Sequence, residues 1–375
     1  MTAFEDLPLS RSPREAGDRA MAGMLCVTAP SVKGAHDAQF VLADGKAYIV
    51  YEANDVKPGE SALDENQYAA LSVVDLASFS LERTAVFARK GQAFSNMTLE
   101  RGNAFVPRVI RLDGETLRFF FAHVIPGESA YHYFIDYDLP SGRFCDRLGR
   151  LRLRAPEGEV PFGAAEYRRL FLADGHVCGD APFGSYLFDL FETDGTRYIA
   201  LNNFVTGQNS LARFSPACDC VEIVGNIGGV APGEKTTESG IARLPGGGWM
   251  AILRNETGDK NYRFSYSPDG ARWSPPVSKP FVQGGTNSKP VLFTRGRYTF
   301  MGWNEGSRAV FHLACSADGR VWRTVASFYS ATTFQYPTFA FYGGELYFCV
   351  TVGAKERICF GRLGVREKDG RLFFD

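Results

Sequence analysis

Across 375 residues, 41 Lys and Arg nearly balance 42 Asp and Glu, leaving a formal net charge of −1. That balance argues against nucleic acid as the main partner, because phosphate binding needs a basic excess on at least one face, and no apolar run reaches the ~18 residues of a membrane span. Forty Gly and 14 % aromatic residues point to many turns and strands rather than long amphipathic helices.

The chain opens with a polar, irregular stretch that contains acidic residues and lacks an apolar core, unlike a signal peptide; a cytoplasmic location is the expectation. Residues 14–24 read as one short helix, and residues 1–33 as an N-terminal extension. From His36 onward one pattern recurs: two short apolar runs around a Gly-containing reversal, the signal of a β-hairpin. The reversals are Asp44-Gly45, Asp113-Gly114, Asp194-Gly195, Pro245-Gly246-Gly247-Gly248, Arg295-Gly296 and Gly343-Gly344. The last four copies start about 50 residues apart and the first three about 70–80 apart, and a recurring unit of this size is the mark of a propeller. Third and fourth strands follow the hairpins, as at residues 309–315 and 324–327 in the fifth copy. Six copies predict an all-β fold, a six-bladed β-propeller with four-stranded antiparallel blades, occupying residues 34–375 as a single domain. The segment 151–183 is the least regular and reads as an elaborated loop on one rim. The ring is expected to close through the strand at 356–361 or through the segment before His36. The eight Cys are dispersed, several within apolar strands, and read as free thiols rather than disulfides. Cys218 and Cys220 have no matching second pair, so no zinc site, other metal or cofactor is expected.

Two turns carry a more specific signature. Ser267-Pro268-Asp269-Gly270-Ala271-Arg272-Trp273 and Ser316-Ala317-Asp318-Gly319-Arg320-Val321-Trp322 both match S-x-D-G-x-x-W. The Asp side chain suits the turn amides, the Gly supplies positive φ, and the Trp anchors the turn by burial. Such a turn resembles the Asp-box, or BNR repeat, of the sialidase superfamily, and the resemblance spans roughly residues 34–362. It implies a six-bladed propeller and a glycoside hydrolase. In that family a Glu at the start of the fourth blade is followed by an Arg at the end of the next strand, which Glu238 and Arg254 match. A further Arg precedes the next box, as Arg308 does, and a Tyr begins the sixth blade, as Tyr336 does. The resemblance implies that the Glu–Tyr pair supplies the nucleophile and that the Arg residues clamp a substrate carboxylate. The family's first clamp Arg has no counterpart here, where the chain reads His36-Asp37-Ala38-Gln39. Asp55 and Asp64 both stand near the place of the family's acid.

Inner strands of a propeller begin around one mouth, and the six beginnings carry His36 with Asp37, Arg108, Ser185, Glu238, Ser288 with Lys289, and Tyr336. Five of the six bear an ionic or titratable group, which marks this mouth as the candidate site. Glu238 with Tyr336 would make a carboxylate-activated Tyr nucleophile, whereas Asp37 with Glu238 would make a two-carboxylate pair. Arg254 and Arg308 suit a planar carboxylate, because guanidinium binds it bidentately. Arg108 and Lys289 are further cations, His36 and His123 candidate bases, and Trp303 a candidate sugar platform. The leading expectation is a sialidase-like hydrolase of an acidic sugar or polysaccharide. The alternatives are a propeller polysaccharide lyase cleaving next to a uronic acid and a non-catalytic glycan-binding propeller. The expected partner is an anionic carbohydrate.

Overall fold

Two of the three Asp-Gly reversals form tight hairpin turns. Asp44 and Gly45 have φ of 52° and 76°, and Asp194 and Gly195 of 50° and 69°, the double positive φ of a type I′ hairpin turn. In the computed structural model, which describes residues 11–128, 130–229, 233, 235–279, 281–282, 288–368 and 371–374, these hairpins seed six antiparallel sheets arranged as a β-propeller. Blade 1 is Gly34–Ala43, Lys46–Asn54, Tyr68–Asp75 and Ser80–Ala88. Blade 2 is Asn103–Arg111, Thr116–Val124, Ala130–Asp138 and Arg143–Phe144. Blade 3 is Ser185–Thr193, Thr196–Asn203, Gln208–Phe214 and Cys220–Ile227. Blade 4 is Thr236–Arg243, Trp249–Asn255, Arg263–Ser267 and Val277–Ser278, and blade 5 is Val291–Arg295, Tyr298–Asn304, Val310–Ser316 and Arg323–Tyr329.

Blade 6 joins both sequence regions expected to close the ring. Its strands are Gln335–Tyr342, Glu345–Val352 and Arg357–Leu363, and Leu25–Cys26 adds antiparallel to the last of these. A helix, Pro13–Ala22, precedes this closure. Ser12 and Glu15 cap it reciprocally, the two-way arrangement that satisfies donors at a helix start. Gly17 lets it lie against the outer strand of blade 5, where a Cβ would overlap the Ser327 carbonyl.

The core is divided into wedges between neighbouring blades. Val109, Phe119 and Phe121 of blade 2 meet Tyr48, Val50 and Leu71 of blade 1. Met250 and Ile252 of blade 4 meet Leu292, Met301 and Trp303 of blade 5. Phe300 and Phe311 meet Leu346 and Phe348 between blades 5 and 6. Strands buried on both faces therefore need apolar residues at successive positions, which explains their weak alternation. The segment 151–183 is more ordered than the sequence suggests. Arg152–Ala155 and Gly158–Pro161 form a hairpin that extends blade 3, and Ala164–Ala173 is a helix. Tyr167 and Phe171 bury one side of that helix against the wedge of blades 2 and 3; this long-range packing has no marker in the local pattern.

Both S-x-D-G-x-x-W turns lie at the face opposite the mouth. Ser267 Oγ accepts the Gly270 N–H at 2.8 Å, Asp269 Oδ1 accepts the N–H groups of Ala271 and Arg272 at 3.0 and 2.9 Å, and Trp273 Nε1 donates to the Gly270 carbonyl at 2.7 Å. Ser316 and Asp318 repeat the pattern. A cavity of about 920 Å³ on this face is lined by residues such as Gly247, Tyr266 and Asp318, and contains none of the candidate site residues.

Candidate functional site

The mouth is shaped by a backbone device repeated around the ring. In five blades the first strand shifts register by a β-bulge near its start: between His36 and Gln39, Phe105 and Arg108, Leu187 and Leu190, Thr236 and Ser239, and Gln335 and Thr338. A bulge sets two residues against one, kinks the strand and re-aims side chains. Asp37, Val106 and Tyr336 each take positive φ, of 49°, 46° and 53°, a costly conformation for residues other than Gly. The bulges thus turn Asp37, Val106, Phe188, Glu238 and Tyr336 towards one cavity of about 220 Å³. In blades 2 and 3 the positions facing it are Val106 and Phe188, not Arg108 and Ser185 as the sequence register indicated.

Arg254 stands opposite the bulge that carries Glu238, since Thr236 pairs with Asn255 and Ser239 with Leu253. Its guanidinium donates to Glu238 Oε2 at 2.6 Å and to the Tyr336 hydroxyl at 2.8 Å. The Tyr336 hydroxyl donates to Glu238 Oε1 at 2.5 Å. Burial pushes the Tyr336 phenol well above its ordinary value, and Glu238 adds to this, while Arg254 works against it. A third contact from Arg254, 2.8 Å to Glu256, fixes the guanidinium plane. Arg308, from the loop after the second strand of blade 5, also lines the cavity and donates to Gln335 Oε1 at 2.9 Å.

The facing wall is built by blade 1 and blade 6. The His36 ring lies 4.3 Å from that of Tyr336, centroid to centroid, and its Nδ1 is 3.0 Å from Thr351 Oγ1. Its Nε2 is 3.8 Å from Glu60, which also pairs with Lys355. Burial holds His36 down to about 4, so it is neutral near pH 7. Behind Glu60 lies Glu52, fully buried, which accepts the Val106 N–H at 3.0 Å and neighbours Glu60. Burial and the neighbouring Glu60 raise Glu52 well above the carboxylate range. Burial opposes the charge on Glu60 too, but His36, the neighbouring Glu52 and Lys355 outweigh it and hold Glu60 low. A proton resting on Glu52 beside an ionised Glu60 is the arrangement this predicts. Phe105, Val106, Phe188 and Phe204 supply an apolar side to the cavity.

Asp37 borders the cavity, but its carboxylate is engaged beneath it. Arg108 donates to Asp37 Oδ2 at 2.8 Å and to the Phe188 carbonyl. Lys289 Nζ lies 2.6 Å from Asp189 and 3.9 Å from Asp37. Arg108 and Lys289 are each 1 % exposed, so they form a buried ionic floor across the channel rather than a surface for ligand. Trp303 packs in the wedge between blades 4 and 5 and against His312. His123 is bonded to the Arg101 carbonyl. Asp55 is exposed and accepts the Tyr68 hydroxyl, and Asp64 is engaged by Asn54 and Asn66; neither lines the cavity. Sequence reasoning thus brought Glu238, Tyr336, Arg254, Arg308, His36 and Asp37 to one place, and missed Glu60, Glu52, Lys355 and Phe188.

No protein-family model matches the chain, and no curated protein matches it. Among solved structures it is similar to a protein of unknown function from Dyadobacter fermentans DSM 18053, with a TM-score of 0.65 and 11 % identity over 92 % of this chain and 98 % of that one. It is also similar to Trypanosoma rangeli sialidase in complex with sialic acid, with a TM-score of 0.57 and 11 % identity over 91 % of this chain and 57 % of that one. The NanB sialidase from Streptococcus pneumoniae gives a TM-score of 0.57 and 9 % identity over 97 % of this chain and 72 % of that one. At these identities the likeness is one of fold, the six-bladed propeller shared with sialidases.

Proposed function

We propose that the chain is a sialidase-like glycoside hydrolase acting on an acidic sugar, with Tyr336 as nucleophile and Glu238 as its base. The observation that carries this reading is the 2.5 Å hydrogen bond from the Tyr336 hydroxyl to Glu238, with Arg254 bonded to both partners. A phenol with an ordinary pKa of about 10 is a weak nucleophile at neutral pH. A carboxylate in contact can take its proton as the bond to the anomeric carbon forms. Tyr nucleophiles are a known departure from the two-carboxylate scheme of glycosidases. Arg254 would stabilise the phenolate character that develops, and Arg254 with Arg308 offers guanidinium faces to a substrate carboxylate. The leaving oxygen needs a proton, which Glu60 can pass on while being resupplied by Glu52. Asp37, held by Arg108, serves the floor of the site in this reading rather than a carboxylate pair with Glu238.

Incubation with aryl glycosides of sialic acid, of uronic acids and of neutral sugars tests the proposal. Phenol release from one of the acidic glycosides, and not from its neutral counterpart, is the expected result. An ultraviolet-absorbing unsaturated uronic acid as product would replace hydrolysis by elimination. Binding of acidic glycans without turnover would make the propeller a lectin-like module.

A further inference from the structure

Blade 6 is completed by stretches from opposite ends of the chain. In that pairing Leu25 faces Phe360 and Cys26 faces Cys359. The next pair, Val27 with Ile358, is hydrogen-bonded, the Val27 N–H donating to the Ile358 carbonyl at 2.9 Å. Opposed pairs alternate along an antiparallel ladder, so Cys26 and Cys359 occupy the non-hydrogen-bonded kind, with Cα atoms about 4.5 Å apart and side chains close on one face. That spacing falls within the range of about 4.4–6.8 Å between the Cα atoms of disulfides.

The two thiols differ in a way that suits exchange. Cys26 is exposed and Cys359 buried. Cys26 is pushed down to about 5 chiefly by the neighbouring Cys359 thiol, against the effect of burial, with further help from Thr28 and Arg357. Thr28 Oγ1 lies 3.4 Å from its sulfur. An accessible thiolate beside a second thiol is the usual form of a reactive, resolvable cysteine.

We propose that Cys26 and Cys359 form an oxidation site whose disulfide locks the propeller ring. The Cys26 thiolate attacks one sulfur of a low-molecular-mass disulfide and expels a thiolate. Cys359 then loses its proton to the solvent and attacks the Cys26 sulfur, expelling the second thiolate. Two protein thiols are oxidised to one disulfide, and one external disulfide is reduced to two thiols. The bond closes a loop that runs from Cys26 to Cys359 and contains most of all six blades. Its fourth strand in blade 6 is only Leu25–Cys26, so detachment of that short strand is the easiest way to open the ring. A cross-link there removes this opening and constrains the unfolded chain, an effect that grows with loop length.

The test is exposure of the full-length folded protein to oxidised glutathione, followed by thiol titration, non-reducing peptide mapping and unfolding measurements. Two of the eight thiols should disappear, the Cys26 and Cys359 peptides should be found linked, and unfolding should become slower with a raised midpoint. Dithiothreitol should reverse all three changes. Cys26→Ser should abolish them, whereas Cys145→Ser, which removes another exposed thiol, should leave them intact. In Cys359→Ser, Cys26 should stop at a glutathione adduct. The proposal is overturned if wild-type Cys26 also stops at the adduct, if the linked form unfolds like the reduced one, or if the stabilisation persists in Cys26→Ser.

Discussion

The Tyr336 hydroxyl donates to Glu238 Oε1 across 98 positions of sequence, and both residues sit at strand bulges. Tyr336 lies in the bulge of blade 6 and Glu238 in that of blade 4. Each bulge tips its residue out of strand alternation and towards the axis, where strands from different blades come within reach. Arg254 faces the Glu238 bulge from the adjacent strand and bonds to both side chains.

This contact sets the first expectation. Glu238→Gln keeps the size and polarity of the side chain but cannot take the Tyr336 proton. It should fold normally and lose at least ~10²-fold in kcat, the lower end of a general-base contribution. Tyr336→Phe should lose a comparable factor, with smaller effects on substrate binding. Steady-state kinetics with calorimetric binding checks this, and near-wild-type turnover in either variant removes the proposed nucleophile.

The pattern of hairpins was enough to give the blades, because Asp-Gly and Gly-Gly reversals and apolar runs are local signals. Glu238, Arg254, Arg308 and Tyr336 were readable because they stand at fixed places relative to those hairpins. Arg108 was misplaced for a physical reason: a bulge adds a residue without changing composition, so Val106, two positions earlier, takes the cavity-facing position. Trp303 ends a strand as a sugar platform would, yet strand alternation turns it into the wedge between blades. Glu60 lies in a loop that also contains Asp55, Asp64 and Glu65, and nothing local tells which carboxyl turns inward. Only its contacts with His36 and Lys355, distant in sequence, select it.

Asp37 makes a prediction about stability rather than chemistry. Burial disfavours its charge, but Arg108 and Lys289 outweigh burial and hold its carboxyl below the usual range. Asp37→Asn leaves the buried Arg108 without a carboxylate, held only by neutral acceptors, the carbonyls of Phe188, Pro107 and residue 37 and the amide oxygen of the new side chain. Breaking a buried pair on one side typically costs about 3–5 kcal/mol, and the remaining carbonyl bonds place this case near about 3 kcal/mol. A depressed folded pKa contributes stability that is present above the unfolded value, about 3.9 for Asp, and lost as pH falls through the folded one. Urea unfolding at neutral pH should show the loss, and the gap between wild type and variant should narrow in strong acid. A variant as stable as wild type at neutral pH would contradict the ionic floor.

Buried histidines govern a milder acid range; His123 is lowered by burial as well, but His36 and His132 are shifted furthest. Burial holds both His36 and His132 down to about 4, whereas an unfolded His titrates near about 6.5. Between those values the unfolded chain binds protons that the folded chain refuses. Stability should therefore be unaffected by these residues above about pH 6.5, fall as pH drops towards 4, and level off below. Thermal unfolding between pH 7 and 4 should follow this course, with NMR titration showing both rings neutral in the folded protein down to about pH 4. Protonation of the His36 ring near pH 6.5 in the folded state would refute the assignment.

The last expectation concerns the proton that a departing sugar or alcohol must receive. Glu52 is fully buried and, among the described residues, pairs with no cation, while Glu60, 19 % exposed, reaches the cavity with Lys355 beside it. A proton held on Glu52 and passed through Glu60 would make the pair an acid, although Glu60 alone, lowered by His36 and Lys355, would be ionised at neutral pH. Glu60→Gln breaks the relay at its exit, and Glu52→Gln removes the store behind it. Both should therefore slow glycosides of poor leaving groups, such as alkyl alcohols, by ~10²–10⁴-fold. Aryl glycosides whose phenols leave as anions need no such help and should react almost as in wild type. Glu52→Gln should also keep substrate affinity, because Glu52 does not line the cavity. The ratio of rates on the two kinds of leaving group is thus the measurement that matters. Equal losses on both would assign Glu52 and Glu60 to shaping the pocket wall, and unchanged rates on both would separate this pair from the chemistry altogether.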